Sequence, residues 1–81
     1  MEPARGLIVC AMAGRDKGQY FVVLEAKEAE VLLADGRTRK LSHPKRKNIK
    51  HIRTTGASVA LTQITDKKLR GLLKEYTEQN P

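Results

Sequence analysis

The chain has 81 residues, 40% of them apolar and 31% charged, and a formal net charge of +7. This length suits one small domain, residues 1–81, with a thin core and little room for a deep, enclosed active site. The apolar fraction is too high for a disordered chain, and no stretch approaches the ~18 apolar residues of a membrane span. The single cysteine, Cys10, excludes an internal disulfide and favours a reducing, cytoplasmic setting.

The first half of the chain alternates short apolar runs with turns. Residues 6–13, GLIVCAMA, predict a first strand, and residues 14–18, GRDKG, predict a turn with a glycine at each end. We call residues 14–18 the glycine-flanked turn. The β-branched and aromatic residues of 19–26 predict a second strand, and residues 29–34 predict a third.

The middle of the chain predicts a hairpin and further extended structure. Asp35-Gly36 suits a two-residue type I′ turn, from which residues 37–41 would return as a fourth strand. His43-Pro44 predicts a loop, because proline lacks an N–H and restricts the residue before it. Residues 49–53 predict a short fifth strand, residues 54–56 a break, and residues 58–64 are ambiguous between strand and loop.

The C-terminal stretch predicts a helix over about residues 65–78. Its apolar positions are spaced i, i+3, i+4 and i+7 and comprise Leu69, Leu72, Leu73 and Tyr76. Thr65 is the expected N-cap, and Asp66 favours the positive end of the helix dipole. The whole pattern predicts a mainly β protein: a small antiparallel barrel over about residues 5–64, capped by one C-terminal α-helix.

The positive charge is concentrated in residues 37–53, RTRKLSHPKRKNIKHIR, which we call the basic segment. It holds eight Lys or Arg residues and no acid, whereas the other 64 residues hold eight basic and nine acidic residues, a balance of −1. This asymmetry indicates a polyanionic partner, nucleic acid or an anionic membrane, against the alternative of an ordinary solvated face. Its apolar residues Leu41, Ile49 and Ile52 favour a folded segment over a disordered arm.

Two stretches together resemble a known family. The run from Gly6 through GRDKG to Leu24 looks like a KOW motif, and residues 31–36 followed by 45–52 resemble a signature of the L-fourteen-e, L-six-e and L-twenty-seven-e group of large-subunit ribosomal proteins. The likeness extends over about residues 5–53 and is nearest to the short stand-alone bacterial KOW-domain proteins.

This resemblance implies an SH3-like barrel and binding to RNA, ribosomal RNA above all, with ribosomal proteins as further candidate partners. The RNA-binding residues that it carries over are Gly14, Arg15, Lys17 and Gly18 in the turn, and Lys45, Arg46, Lys47, Asn48, Lys50 and His51 in the basic segment. Charge adds Arg39, Lys40 and Arg53 as phosphate contacts. We expect residues 45–47 to form a solvent-exposed loop, and Asn48 either to contact a base or sugar or to cap a turn.

Aromatic residues are few. Phe21 and Tyr76 are expected in the core and at the helix anchor, and Tyr20 is expected to pack in the core or at its rim, so binding should depend on phosphates and RNA shape more than on base identity. Cys10 fits a small core residue better than a nucleophile.

No set of residues predicts catalysis. His43 and His51 are eight apart and Cys10 is remote, which disfavours a zinc site, and no carboxylate pair stands out. We therefore expect a monomeric RNA-binding protein without enzymatic activity or cofactor. The competing hypothesis is a protein-interaction module of the transcription or translation machinery, with membrane association a weaker third.

Overall fold

A computed structural model describes residues 3–80, so residues 1, 2 and 81 of the predicted domain lie outside the described range. The protein is mainly β, with five strands, a 3₁₀ helix at Ile49–His51 and one C-terminal helix. The strands are β1 Leu7–Ala11, β2 Tyr20–Ala26, β3 Glu30–Ala34, β4 Lys45–Asn48 and β5 Ile52–Ser58, and the helix is α1 Asp66–Gln79. The first three predicted strands and the helix are confirmed within one or two residues.

All five strands belong to one antiparallel sheet in the order β4-β3-β2-β1-β5. The two edge strands follow each other in the chain, with only Ile49–His51 between them. The edges of a flat five-stranded sheet would lie about 19 Å apart, four spacings of ~4.8 Å. The four Cα–Cα steps from Asn48 to Ile52 reach at most ~15 Å. The sheet is therefore curled, although no backbone ladder joins β4 to β5 within residues 3–80.

Alternation along the strands produces an apolar cluster on each face of the sheet. One face carries Leu7, Val9 and Ala11 of β1 with side chains from β2 and β3, and Ile49 and Ile52 pack against it. The other face carries Ile8 and Val22 and is covered by Leu69 and Leu73 of α1. Burying both faces of a sheet this small is what gives an 81-residue chain enough core to fold.

The helix begins and packs as its sequence predicts, with one exception. The Thr65 hydroxyl accepts a hydrogen bond from the Lys68 N–H at 3.2 Å, which confirms the N-cap. Leu69 and Leu73 are buried, but Leu72 is 42% exposed and belongs to neither apolar cluster. No helix in residues 3–80 is long and apolar enough to cross a membrane.

The predicted hairpin at Asp35-Gly36 is wrong, and residues 35–44 form a loop. One Asp35 carboxylate oxygen accepts hydrogen bonds from the N–H groups of Arg37 (2.9 Å) and Arg39 (2.8 Å), and the other accepts one from the Thr38 hydroxyl (3.0 Å). These bonds wrap the backbone around the carboxylate, an alternative to a strand ladder that Asp readily offers. The fourth strand begins at Lys45, after the loop predicted at Pro44.

The predicted fifth strand and the predicted break after it are also displaced. Residues 49–51 are 3₁₀ helix, and the strand runs from Ile52 through Thr54, Thr55 and Gly56 to Ser58. The register of β5 on β1 shifts between Leu7 and Val9. There the Thr55 hydroxyl donates to the Ile8 carbonyl at 2.6 Å and accepts from the Ala57 N–H at 3.2 Å, so a side chain stands in for the interrupted ladder.

Candidate nucleic-acid interface

The glycine-flanked turn joins β1 to β2 as predicted. Gly14 and Gly18 adopt φ of 78° and 89°, in the left-handed region that glycine enters without strain. The Gly18 N–H donates to the Ala11 carbonyl at 2.8 Å and closes the turn. Arg15 and Lys17 are exposed at its tip.

Two lysines of β4 attach this turn to the basic segment, which corrects the prediction of a solvent-exposed loop over residues 45–47. The Lys45 ammonium forms a salt bridge with Asp16 inside the turn. The Lys47 side chain is buried, and its ammonium donates to the Ala13 carbonyl at 2.8 Å. Alternation along β4 places the Arg46 side chain on the opposite face of the strand from Lys45 and Lys47. There the side chain is 68% exposed, and its Nε lies 3.7 Å from a carboxylate oxygen of Glu30. Lys45 and Lys47 therefore join β4 to the turn and its preceding residue by contacts within the protein itself.

Asp16 is the acid at the centre of this junction. The hydrogen bond from Lys45 lowers the pKa of the Asp16 carboxyl below its ordinary value of 3.8, against the opposing effect of burial. The positive charges of Lys45, Lys47 and Arg39 lower that pKa further. One carboxylate therefore faces three cations, and the junction keeps a net positive charge.

The 3₁₀ helix contacts the other side of the turn's base. The Met12 N–H donates to the His51 carbonyl at 2.8 Å, which extends the pairing of β1 with β5. The Asn48 side chain accepts from the Lys50 N–H at 2.8 Å, so Asn48 caps this short helix, the second of its two predicted roles. Lys50 and His51 are exposed, and Arg53, paired with Cys10, is exposed on β5.

The structure thus brings the glycine-flanked turn and the basic segment together. Residues 12–16 contact β4 through Lys45 and Lys47, and the 3₁₀ helix through His51. We define the basic face as six exposed cations of the turn and the basic segment: Arg15, Lys17, Arg39, Lys40, Lys50 and Arg53. Of the predicted binding residues, Lys47 is buried, Lys45 is ion-paired, and Arg46 lies on the opposite face of β4. Gly14 and Gly18 shape the turn.

Two further carboxylates organise the basic segment, beyond the local roles in a turn and at a helix start that the sequence predicts for them. Asp35 folds residues 35–39 around itself, and Asp66 accepts a hydrogen bond from the Leu41 N–H at 2.8 Å. The Arg70 guanidinium donates to the Gly36 carbonyl at 2.8 Å. Asx-turn chemistry could have predicted the role of Asp35. The bond from Leu41 to Asp66 spans 25 residues and leaves no local pattern in the sequence.

The aromatic residues pack inside the core or between the sheet and α1. Phe21 is buried as expected, and Tyr20 packs edge-on against Tyr76 with ring centroids 5.1 Å apart. Both tyrosines belong to the cluster between the sheet and α1, which confirms rim packing for Tyr20 and helix anchoring for Tyr76.

The cysteine and the groups that could bind a metal ion are not assembled into a site within residues 3–80. Cys10 is a free, buried thiol in β1, as expected of a small core residue. Within residues 3–80, no group of three or more His, Cys, Asp or Glu side chains could hold a metal ion.

In comparisons with known proteins, no protein-family model matches the chain, and no curated protein matches it significantly.

Proposed function

We propose that the protein binds RNA through the basic face. The observation that carries this proposal is the junction itself: the glycine-flanked turn and the basic segment, about 30 residues apart in sequence, are joined by the Lys45–Asp16 and Lys47–Ala13 contacts. The basic segment, which carries the excess positive charge of the chain, is thereby part of a folded domain and not a free arm. A fixed array of cations is the usual footprint of a surface that binds phosphates.

The proposal includes the type of barrel that the sheet forms. We infer a KOW-type, SH3-like barrel, supported by the curled five-stranded sheet, the 3₁₀ link between its edge strands and the GRDKG turn between β1 and β2. The resemblance to ribosomal proteins makes ribosomal RNA, in the cytoplasm, the first candidate partner.

The contacts of each cation within the protein indicate its proposed role in binding. Arg15, Lys17, Lys50 and Arg53 have exposed side chains and are the proposed phosphate contacts. Arg offers a planar fork of donors to a phosphate, and Lys a compact point charge. Lys45 and Lys47 keep their charge while tied to Asp16 and Ala13, so they contribute to the field of the basic face as well as to its geometry.

The proposal is tested by measuring RNA affinity against salt. Fluorescence anisotropy with a labelled hairpin from ribosomal RNA should give an affinity that falls with salt, because binding releases counterions. Contact of phosphates with the four proposed side chains predicts a log–log slope between about −2.8 and −3.6. An affinity that does not change with salt would contradict the proposal. Partners that survive RNase in a pull-down would favour the competing protein-interaction role.

A further inference from the structure

One exposed apolar side chain lies at the edge of the basic face. Met12 is 41% exposed, and the other large hydrophobic side chain exposed in residues 3–80 is Leu72, far along the chain on α1. Met12 follows the last residue of β1, immediately before the glycine-flanked turn. It is not needed to fill either apolar cluster of the sheet.

The neighbours of Met12 leave its side chain accessible. The Met12 N–H bonds to the His51 carbonyl, so these residues lie side by side as the pair after Ala11 and Ile52. The His51 side chain is exposed. On the other side of β1, Gly18 bonds to Ala11 and has no side chain, and a Cβ at Gly18 would meet nothing within 4 Å.

The third residue at this position is Arg53, whose side chain ends in a planar guanidinium cation. Arg53 pairs with Cys10, two residues before Met12 on β1, and alternation along the strand places Cys10 and Met12 on one side of the sheet. Arg53 is exposed. Met12, His51 and Arg53 are therefore neighbours at the end of the pairing between β1 and β5, each with an exposed side chain, and Arg53 also belongs to the basic face. We call Met12, His51 and Arg53 the shelf.

We propose that the shelf contacts one unpaired base of the RNA, a proposal that rests on the RNA-binding function proposed above. The thioether of Met12 has no hydrogen-bond donor and no charge with which to bind a phosphate, but a thioether packs favourably against aromatic rings. Imidazole and guanidinium groups stack on bases that are splayed out of single-stranded loops. The bases of an A-form duplex do not present their faces, so the ligand of the shelf is a base in a loop or bulge.

The shelf adds a base contact to binding that the sequence predicts to depend on phosphates and RNA shape more than on base identity. The Tyr20 ring packs edge-on against Tyr76. The shelf provides base contact without an aromatic platform of Phe, Tyr or Trp. Because base contact releases no counterion, its contribution to affinity should be independent of salt, unlike that of the basic face.

The test uses two RNA hairpins with the same number of phosphates, one with a normal loop and one with abasic sites throughout the loop. Anisotropy titrations at several salt concentrations should show that the wild-type protein binds the normal loop about tenfold more tightly. Met12→Ser and His51→Ala should each reduce that ratio by about threefold or more without changing the salt slope. Leu72→Ser, at a residue of equal exposure on α1, is the matched control and should leave the ratio unchanged.

The titrations distinguish a failure of the shelf from a failure of the RNA-binding function. Equal wild-type affinity for the two hairpins, at a normal salt slope, would overturn the shelf and leave the proposed function standing. A ratio unchanged in both shelf variants would overturn it as well. Failure to bind either hairpin would overturn the RNA-binding function and the shelf with it. Thermal unfolding of each variant confirms that the fold is intact, as expected since Met12 and His51 have exposed side chains.

Discussion

Asp16 shows how a single residue can organise a charged surface. It stands in the middle of the glycine-flanked turn, where its sequence context suggests only solvation or a local salt link. In the folded chain it pairs with Lys45, 29 residues away, and it faces the charges of Lys47 and Arg39. An acid inside a cationic surface reduces the repulsion among neighbouring cations at the cost of one unit of positive charge.

The lowered pKa of Asp16 makes a pH-dependent prediction. Because the folded-state pKa lies below the ordinary value of 3.8, ionised Asp16 stabilises the fold above pH 3.8, and this contribution is lost as the pH falls through the lowered pKa. Urea denaturation from pH 7 to pH 2.5 should show wild type more stable than Asp16→Asn at neutral pH, with the difference shrinking below about pH 3.8. A difference that stays constant to pH 2.5 would contradict this account.

The matched control for Asp16 removes its partner. In a Lys45→Met background the Asp16→Asn substitution should have a smaller effect at neutral pH, because the hydrogen bond that lowers the pKa is gone. Met is similar to Lys in length, so the control keeps most of the packing of the side chain.

Thr55 is a second residue with a role that only its contacts reveal. Its hydroxyl bonds to the Ile8 carbonyl and the Ala57 N–H where the ladder between β1 and β5 shifts register. Thr55→Val keeps the shape but leaves these backbone groups without a partner, so we expect a loss of about 1–3 kcal/mol in the free energy of unfolding. Thr55→Ser should retain most of the stability. Thr54→Val, on the same strand, should change stability by less than about 0.5 kcal/mol; denaturant titrations measure all three.

At the scale of elements, the loop over residues 35–44 decides where the basic segment lies. The loop is held against the start of α1 by the bonds from Leu41 to Asp66 and from Arg70 to Gly36. Gly36 lies so close to the helix that a Cβ at this position would stand 2.3 Å from the Asp66 carbonyl oxygen. Its φ of +75° also favours glycine. Helix and loop therefore support each other, and β4 starts from a fixed point.

Two glycines give opposite predictions for the same substitution. Gly36→Ala should destabilise the fold by more than about 2 kcal/mol, because the new Cβ collides with backbone and the left-handed φ becomes strained. Gly71→Ala, in the middle of α1 with open space around it, should stabilise the helix by up to about 1 kcal/mol. Urea titrations of the two variants check both signs, and a tolerated Gly36→Ala would contradict the close approach.

At the scale of the whole molecule, the curled sheet turns two distant sequences into one surface. If Arg15 in the turn and Lys50 in the 3₁₀ helix serve the same RNA, the Arg15→Ala/Lys50→Ala double variant should weaken binding and make the salt slope shallower by about 1.4–1.8. The Lys68→Ala/Lys74→Ala variant removes the same charge from α1 and should leave the slope nearly unchanged. Equal effects of the two double variants would indicate a diffuse electrostatic attraction, not a site.

The chain by itself determined the first three strands, the glycine-flanked turn, the capped helix and the concentration of charge in the basic segment. These features depend on local periodicity, on glycine at left-handed φ and on N-capping, all of which act within a few residues. Tertiary structure alone decided that the loop after β3 is bonded to the start of α1, that Lys47 is buried, and that Met12 and His51 lie side by side. The reason is physical: each of these outcomes depends on a hydrogen bond between residues 25 to 39 apart in the chain, and no local pattern of the sequence encodes such a bond.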